Sequence, residues 1–569
     1  MLIDSTGNRF LRLVNLLIQP GIIALGVIFF LYTLIFWSVN RGVSVDEGYY
    51  LLGYLTDQPV KYALTDFHHI VRSLFFFLPE DNALPLRIIR VILTIIALYF
   101  FTANSYKLLL KEYSIWINKP TYFSLSFLTG TLCFSYASPV LYYDSIEMII
   151  YLIAFALLFE ILQSHNLLLS YLFSFLLGSL IIFAMTNYLP AGIFLLLIVS
   201  FLIVLYKKLK HFLFIICGFI CGAIVYNFFI HSLWGVTAGI IEIYTSASEF
   251  ELTKYETSGQ LGIIIRYFSD LIITIIPVVI GSTVYFFLRK YLQKFSVLID
   301  LFFLAVTVYL VYRLSFYYSN VILLPVVVVF TDLLIINKLR IKGSFSRKGF
   351  LLFAVFLAIP LLGVLGSNQL LARKMFLFMP FWFLALYFLL AELKLLKNKK
   401  LINKYNILMI LTVTVVFVFQ GFIRHPHYNY SIKRSKYLIG DAVRFKGIKV
   451  SEYQNKFYEN GIRELNEHGF RPGDNILAFF ETYMLVYAAG GYVPDGMTYW
   501  AYHFAGDPDN IPDEKVNFII INENEIGLIT EFLSQTNWDF PASYKRIDLG
   551  TDGHNLTQMG YNYILFSSI

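Results

Sequence analysis

Residues 20–47, PGIIALGVIFFLYTLIFWSVNRGVSVDE, decide the fold class of this chain. The stretch from Pro20 to Val39 is uncharged and almost entirely apolar. It has the length of roughly 20 residues that an α-helix needs to cross the hydrocarbon core of a bilayer. The run is too long for the apolar core of a signal peptide, and no small-residue cleavage site follows it. We therefore expect it to remain as the first transmembrane helix.

The composition extends this prediction to most of the chain. Of 569 residues, 58% are hydrophobic and only 14% are charged, and the mean hydropathy is +0.67. Soluble domains contain about 25% charged residues, so a soluble fold is excluded. Apolar runs of spanning length follow one another up to about residue 423, and we predict about thirteen spans. They lie near residues 20–39, 87–110, 120–137, 142–162, 166–184, 188–206, 211–231, 263–288, 296–313, 316–336, 350–366, 374–393 and 406–423.

The net charge of +7 reports membrane topology. Lysine and arginine concentrate in short segments between apolar runs, such as 207–210, 338–348 and 394–404. Such clusters are typical of cytoplasmic loops. With the N-terminus inside and thirteen spans, every cluster falls on the cytoplasmic side and the region beyond residue 423 falls outside. The charge therefore does not indicate a nucleic-acid partner.

Beyond residue 423 the composition becomes that of a soluble protein. Strand patterns occur at 475–480, 517–522 and 561–566, and helix patterns at 451–468 and 524–535. The sequence therefore predicts a polytopic α-helical membrane domain over residues 1–423 and a small extracytoplasmic α/β domain over 424–569. The wealth of Tyr, Phe, Ile, Lys and Asn is typical of a bacterium with an AT-rich genome, so we expect a bacterial inner membrane.

Acidic residues at two predicted helix ends point to a single cavity. Asp46 and Glu47 open a long first external loop over about residues 40–86. Asp144 lies beside Tyr142 and Tyr143 at the outer start of another span. Ionisable groups at a membrane boundary are costly unless they face an internal cavity. Within the first loop, the alternation of polar and apolar residues over 66–77 predicts a helix that lies in the membrane interface.

These features together resemble the GT-C superfamily of glycosyltransferases, and most closely family 39, which contains protein O-mannosyltransferases and lipid A aminoarabinose transferases. The likeness covers the layout of the membrane region, and the local sequence over residues 41–95 and 136–150. It implies that Asp46 is the catalytic base, that Asp144 is the second acid, and that Glu47 belongs to the same catalytic group. It also implies transfer of a sugar from a polyprenyl-phosphate donor to a hydroxyl of lipid A, a cell-surface polysaccharide or a protein.

The chemistry of that reaction requires one base and several cations. A sugar phosphate already has a good leaving group, so a single carboxylate suffices to take the proton from the acceptor hydroxyl, with inversion at the anomeric carbon. The departing phosphate gains charge and needs positive or hydrogen-bonding groups directed at it. The residues predicted to bind substrate or phosphate on the outer side are Lys61, His68, His69, Arg72, Tyr143, Arg266, Arg313 and Arg373.

A divalent metal ion is a further candidate near the phosphate. Glu47, Asp144 and His68 offer suitable ligand atoms, although their spacing matches no known metal motif. Because His68 and His69 are adjacent in a predicted helix, their side chains point to different faces, and we expect at most one of them in such a site. No other cofactor is indicated.

Two other functional classes share the high span count. A polysaccharide polymerase or ligase also has many spans and a large external loop, but that loop usually comes late in the chain. A flippase or transporter of lipid-linked glycans would show internal repeats or broken helices, and neither stands out here. In every case membrane lipids surround the protein, while the sugar, the acceptor and the oligomeric state stay open.

Overall fold

A computed structural model describes the chain in segments. The described residues are 20–43, 45–55, 65–79, 82–113, 118–135, 138–238, 287–295, 346–363, 375–393, 399–423, 432–478, 482–494, 515–534, 536–551 and 562–568, with scattered further positions between 241 and 309. The spans predicted near 263–288, 296–313 and 316–336 lie largely outside these residues.

Helices occupy most of the described membrane region. They are α1 (Pro20–Ser38), α2 (Val45–Gly53), α3 (Phe67–Leu74), α4 (Ala83–Tyr113), α5 (Lys119–Gly130), α6 (Tyr143–Gln163), α7 (Leu167–Asn187), α8 (Leu189–Leu205), α9 (His211–Phe229), α10 (Arg347–Leu362), α11 (Met379–Glu392) and α12 (Lys399–Val416). Single 3-10 or π turns at Thr131–Ser135, Met375–Phe378 and Phe417–Ile423 adjoin α5, α11 and α12.

Local sequence signals set where several of these helices begin. The side chains of Asn118, Asn166 and Ser346 accept hydrogen bonds from backbone N–H groups in the first turns of α5, α7 and α10, at 3.2, 3.2 and 2.9 Å. These caps satisfy N–H groups that have no partner within the helix. Prolines in the first turns of α5 and α8 lose no helical hydrogen bond. The boundaries therefore fall within a few residues of the predicted spans.

Six of the helices among the described residues are long and apolar enough to cross a membrane, namely α1, α4, α6, α7, α9 and the stretch Met375–Glu392 that contains α11. Leu189–Leu205 and Met409–Ile423 are shorter apolar helices. Together with the composition, they identify the chain as a multi-pass helical membrane protein.

The helices differ in how much of their surface is covered. In α6 and in Met375–Glu392, 83% and 94% of the spanning window is buried, compared with 22% in α1 and in α9. α6 and α11 therefore lie in the middle of the described bundle, whereas α1 and α9 leave apolar faces for lipid. Glycines bring α7 and α9 close together: a Cβ on Gly178 would lie 2.8 Å from the carbonyl carbon of Ile215, and one on Gly218 would lie 2.6 Å from that of Phe175. Small residues permit such approach between membrane helices.

The C-terminal region contains helices and a four-stranded sheet. Its elements are β1 (Tyr437–Leu438), β2 (Lys449–Val450), α13 (Glu452–Glu467), β3 (Ile476–Ala478), α14 (Tyr483–Ala489), β4 (Phe518–Asn522), α15 (Ile526–Leu533), β5 (Tyr544–Thr551) and β6 (Asn562–Ser568). The sheet order is β3-β4-β6-β5; β3 is parallel to β4, and the other pairs are antiparallel. The three predicted strands and two predicted helices are present, whereas β1, β2, β5 and α14 were not predicted.

The C-terminal region packs against the first loop. The Gly42 N–H donates to the Lys449 carbonyl at 2.8 Å, and the Lys449 N–H donates to the Asn40 carbonyl at 2.7 Å. α2 touches α14 so closely that a Cβ on Gly48 would lie 2.6 Å from the Cα of Met484. The first loop and the C-terminal region therefore lie at the same end of the helix bundle.

Candidate functional site

A buried ion pair fixes the helix that carries the first acidic pair. Glu47 on α2 accepts two hydrogen bonds from Arg87 on α4, from Nε at 2.8 Å and from Nη2 at 2.6 Å. Neither side chain is exposed. Arg87 also donates to the carbonyls of Val39 and Gly42, at 2.9 and 2.8 Å, where the chain leaves α1. Arg87 therefore ties α2 to α4 and to the end of α1.

Aromatic rings join α2 to α3 and to the start of α6. Tyr50 stacks on Tyr142 with ring centroids 5.2 Å apart, and meets the edge of Phe67 at 5.4 Å. Phe67 also lies 5.9 Å from Tyr143. The structure thus brings α2, which carries Asp46, together with α3 and the start of α6. The side chain of Asp46 itself lies outside the described residues.

The predicted second acid lies in the first turn of α6. Asp144 is buried, and so is Glu147 one turn further along the helix. The Tyr142 N–H donates to Ser145 Oγ at 2.9 Å, and Asn187 donates to the Tyr143 carbonyl at 2.9 Å, which fixes this helix start against α7.

Asp66, just before α3, is held by residues from two other helices. Its buried carboxylate accepts a hydrogen bond from the hydroxyl of Tyr226 on α9. His231, beyond the end of α9, donates from Nδ1 to the two carboxylate oxygens at 3.0 and 3.2 Å. The Asp66 N–H donates to the carbonyl of Thr186 on α7, at 3.1 Å. These contacts dock the start of α3 onto the ends of α7 and α9.

Two histidines adjoin this carboxylate. The rings of His68 and His69 lie 4.5 Å apart, and the His69 ring stacks on His231 at 4.0 Å. One ligand atom from each of Asp66, His68 and His69 lies within 4.8 Å of the others. The sequence did not lead us to expect ligand atoms of both histidines in one close group. Adjacent helical residues diverge at Cβ, but the side-chain torsions here leave the two ring centroids 4.5 Å apart.

Burial controls the charge of these rings. Desolvation lowers the pKa of His69 to about 4, although the carboxylate of Asp66 opposes the shift. Desolvation also places the pKa of His68 well below its usual range, and the neighbouring His69, His231 and Arg72 act in the same direction. By contrast, the hydrogen bond to Asp66 raises the pKa of His231. At neutral pH the His68 and His69 rings are thus neutral, and the 3.9 Å approach of His69 Nε2 to Asp66 is a polar contact rather than an ion pair.

A cleft of about 390 Å³ opens beside this group. His69 and Arg72 supply its polar side, and the remaining wall is mostly apolar. The other residues that line the cleft are Leu51, Tyr54, Val71, Ser73, Phe75, Phe76, Leu78, Pro79, Leu86 and Ile230. Beyond Arg72, the exposed side chains of Leu74, Phe76 and Phe77 continue the apolar surface. The cleft therefore joins a cationic group to a surface suited to hydrocarbon, as expected of a helix in the membrane interface.

The structure describes only some of the predicted site residues. Glu47, His68, His69, Arg72, Tyr143 and Asp144 are described, whereas Lys61, Arg266, Arg313 and Arg373 lie outside the described residues. The ligand atoms that lie close together belong to Asp66, His68 and His69 rather than to Glu47, Asp144 and His68.

Four residues of the site were not predicted, namely Asp66, Arg87, Tyr226 and His231. The sequence could have indicated Arg87 and His231 as site candidates, because each is an ionisable residue at the edge of an apolar run. It could also have indicated Asp66, because Asp66 precedes His69 by three residues and so shares a helix face with it. Nothing in the sequence indicated Tyr226.

No protein-family model matches the sequence, and no curated protein matches it. Three structures of the Archaeoglobus fulgidus oligosaccharyltransferase are similar: a complex with Zn and sulfate, an apo form, and a form tethered to an acceptor peptide with the NVT sequon. The identities are 10%, 10% and 12%, with TM-scores of 0.44, 0.45 and 0.40. The likeness covers 95%, 92% and 95% of this chain and 72%, 73% and 74% of the other.

Proposed function

We propose that this protein is a membrane glycosyltransferase that moves a sugar from a polyprenyl-phosphate donor to an acceptor hydroxyl on the extracytoplasmic side. The acceptor belongs to lipid A, a cell-surface polysaccharide or a protein. The observation that carries the proposal is the cleft beside α3, where Arg72 and His69 adjoin an apolar wall. A polyprenyl phosphate fits this cleft, because Arg72 can bind its negative phosphate and the apolar wall can bind its hydrocarbon chain.

The charge of the cleft supports binding at the phosphate. The guanidinium of Arg72 presents a planar array of donors that matches phosphate oxygens. Phe75 and Phe76 lie within one turn of it and line the same cleft. Leu74 and Phe77 lead away from the cleft at the surface. In this arrangement Arg72 binds the donor phosphate, while the prenyl chain follows the apolar side chains into lipid.

The position of the acids supports the reaction. α2 carries Asp46 and packs, through Tyr50, against Tyr142 at the start of α6, which carries Asp144. In the proposed step, the Asp46 carboxylate takes the acceptor proton while the acceptor oxygen forms a bond to the anomeric carbon. The bond from that carbon to the phosphate oxygen breaks, and the lipid phosphate leaves with the electron pair. Attack opposite the leaving group inverts the anomeric centre.

Glu47 has a different role in this proposal. Both of its oxygens accept hydrogen bonds from Arg87 in a fully buried pair, so we assign it to positioning α2. Lys61, Arg266, Arg313 and Arg373 remain proposed phosphate ligands, and Tyr143 a proposed substrate contact. The C-terminal region, which packs on α2 through Met484, is proposed to cover the outer mouth of the site.

The test is a mass comparison of lipid A and surface glycans in the source cells. It uses the wild type, a deletion strain, and deletion strains that express the wild-type, Asp46→Asn, Asp144→Asn or Glu160→Gln protein at matched levels. Glu160 is the matched control, because it is an acid at the opposite end of α6 that pairs with Lys107 at 2.9 Å. We expect the deletion to lose a sugar mass that the wild type and Glu160→Gln restore and that Asp46→Asn does not.

Three outcomes of this comparison distinguish the candidate functions. The lost mass would identify the sugar and its acceptor. Full restoration by Asp46→Asn would rule out Asp46 as the base. A flippase would be favoured by a different pair of results. The deletion strain would accumulate an intact lipid-linked glycan, and the purified protein would form no transfer product in vitro.

A further inference from the structure

The group formed by Asp66, His68 and His69 has the composition of a metal site with two nitrogen ligands and one oxygen ligand. One ligand atom from each residue lies within 4.8 Å of the other two. All three lie within four consecutive residues, so rotation about side-chain bonds is the only movement needed for them to converge on one ion. Imidazole nitrogens with a carboxylate are typical donors to Zn²⁺.

The state of His68 is the second, independent observation. Its side chain is 2% exposed, and its Nε2 atom has no hydrogen-bond partner among the described residues. A buried polar atom without a partner costs free energy, so natural proteins seldom keep one unless something binds to it. The ring belongs to the same close group as Asp66 and His69, where a metal ion would satisfy it.

The surroundings of Asp66 match those of a metal ligand. The Tyr226 hydroxyl and His231 Nδ1 both donate to its carboxylate. A carboxylate has about four acceptor positions, so these contacts leave room for an ion. Ligating carboxylates are usually oriented in this way by hydrogen bonds from residues that do not touch the metal.

We propose that Asp66, His68 and His69 bind one divalent transition-metal ion with the coordination chemistry of Zn²⁺, with an open position toward the cleft. The open position follows from the lining of the cleft, which includes His69. Three protein ligands with one open position are typical of zinc sites that bind a further group. The ion is a new feature relative to the proposed transferase activity, and its binding does not depend on that activity.

A role for the ion follows from its place beside Arg72. The ion and the Asp66 carboxylate together carry one net positive charge, to which Arg72 adds a second. Such a site suits an anionic oxygen, so a donor phosphate that enters the cleft would meet both the ion and the guanidinium. This second step rests on the proposed function, whereas metal binding itself does not.

The experiment measures metal binding directly. The full chain is purified in detergent with a tag that contains no histidine, stripped with a chelator, and titrated with Zn²⁺ against a chromophoric competitor. Co²⁺ serves as a spectroscopic probe of the coordination geometry. We expect one tightly bound ion per chain, and loss of that ion in His68→Ala, His69→Ala and Asp66→Asn. Tyr226→Phe, which removes one hydrogen bond to Asp66, should weaken binding by roughly 10- to 100-fold.

A matched control is present in the same chain. His211 on α9 is also buried, and its Nδ1 contacts Ser174 Oγ at 2.8 Å, outside the Asp66 group. His211→Ala should keep the wild-type affinity. Thermal unfolding of the stripped proteins checks that the variants fold, and His68→Gln provides a second, bulkier replacement. Absence of a stoichiometric ion in the wild type, or wild-type affinity in folded His68→Ala or His68→Gln protein, would overturn the proposal. Because the readout is metal content, its failure leaves the proposed transferase activity standing.

Discussion

Glu47 and Arg87 form a two-point ion pair, with N–O distances of 2.8 and 2.6 Å, in which neither side chain is exposed to solvent. Arg87 uses its remaining donors on carbonyls at the end of α1. The pair therefore fixes α2, and with it the backbone of Asp46, relative to two transmembrane helices. The buried guanidinium of Arg87 is tolerated because its N–H groups donate to Glu47 and to backbone carbonyls.

The first prediction concerns this ion pair. Replacing only Arg87 with Met, or only Glu47 with Gln, leaves a buried polar group without its partner and should lower stability by about 3–5 kcal/mol. The double variant should lose less than the sum of the two single variants, because no uncompensated charge remains. The measurement is unfolding by SDS titration in mixed micelles, evaluated as a double-mutant cycle.

An exposed ion pair in the same chain serves as the comparison. Lys456 and Glu452 on α13 pair at 2.9 Å in open solvent. Water and salt screen such a pair, so Lys456→Met should leave the unfolding midpoint unchanged. If Arg87→Met were equally silent, the buried pair would not hold α2 in place.

The second prediction concerns the contact between α2 and α14. A Cβ at Gly48 would lie 2.6 Å from the Met484 Cα and 2.7 Å from the Tyr483 carbonyl carbon, so backbone atoms would have to move apart. Gly48→Ala should therefore loosen the C-terminal region and expose it to limited proteolysis, although alanine is the better helix former. Gly527→Ala on α15, where a Cβ meets nothing within 4 Å, should leave the cleavage rate unchanged or lower it. Equal cleavage of the two variants would contradict the close packing of α2 on α14.

The extent of agreement between sequence and structure follows from the range of the interactions involved. Spans such as α6 and α7 were predicted to within a few residues, because apolar length is a local property of the sequence. The role of Arg87 was not predicted, because its partner Glu47 is 40 positions away and both acids of the Asp-Glu pair read alike. β1 and β2 were missed because two-residue strands carry no periodicity.

The candidate site also depends on contacts between residues that are far apart in the sequence. The Asp66 group depends on Tyr226 and His231, which approach only when α9 packs beside α7. The closeness of His68 and His69 was not predicted for a different reason: helical periodicity fixes the direction of Cβ, but side-chain torsions then decide where the ring nitrogens lie. Their ring centroids lie 4.5 Å apart, which the Cβ directions alone do not predict.

The third prediction concerns the glycine contact between α7 and α9. A Cβ on Gly178 or Gly218 would meet main-chain atoms of the opposite helix, so Gly178→Val or Gly218→Val should separate the two helices. Because α9 supplies Tyr226, we expect the variants to lose the hydrogen bond to Asp66 as well as stability in detergent. Thermal unfolding measures the stability. Gly26→Val on α1, where a Cβ meets nothing within 4 Å, is the control and should unfold close to the wild-type temperature.

The last prediction concerns Arg72 and rests on the proposed function. If Arg72 binds the donor phosphate, Arg72→Gln removes a charge-assisted hydrogen bond of about 1.5–3 kcal/mol, which corresponds to roughly a 10- to 150-fold weaker affinity for polyprenyl phosphate. Arg72→Lys should recover part of this loss, because it keeps the charge but not the planar donor array. Binding of polyprenyl phosphate to the purified protein in nanodiscs is the measurement. Arg463→Gln on the exposed side of α13 is the control and should bind like the wild type. Wild-type affinity in Arg72→Gln would show that the phosphate binds elsewhere, and the cleft beside α3 would then lose its place in the reaction.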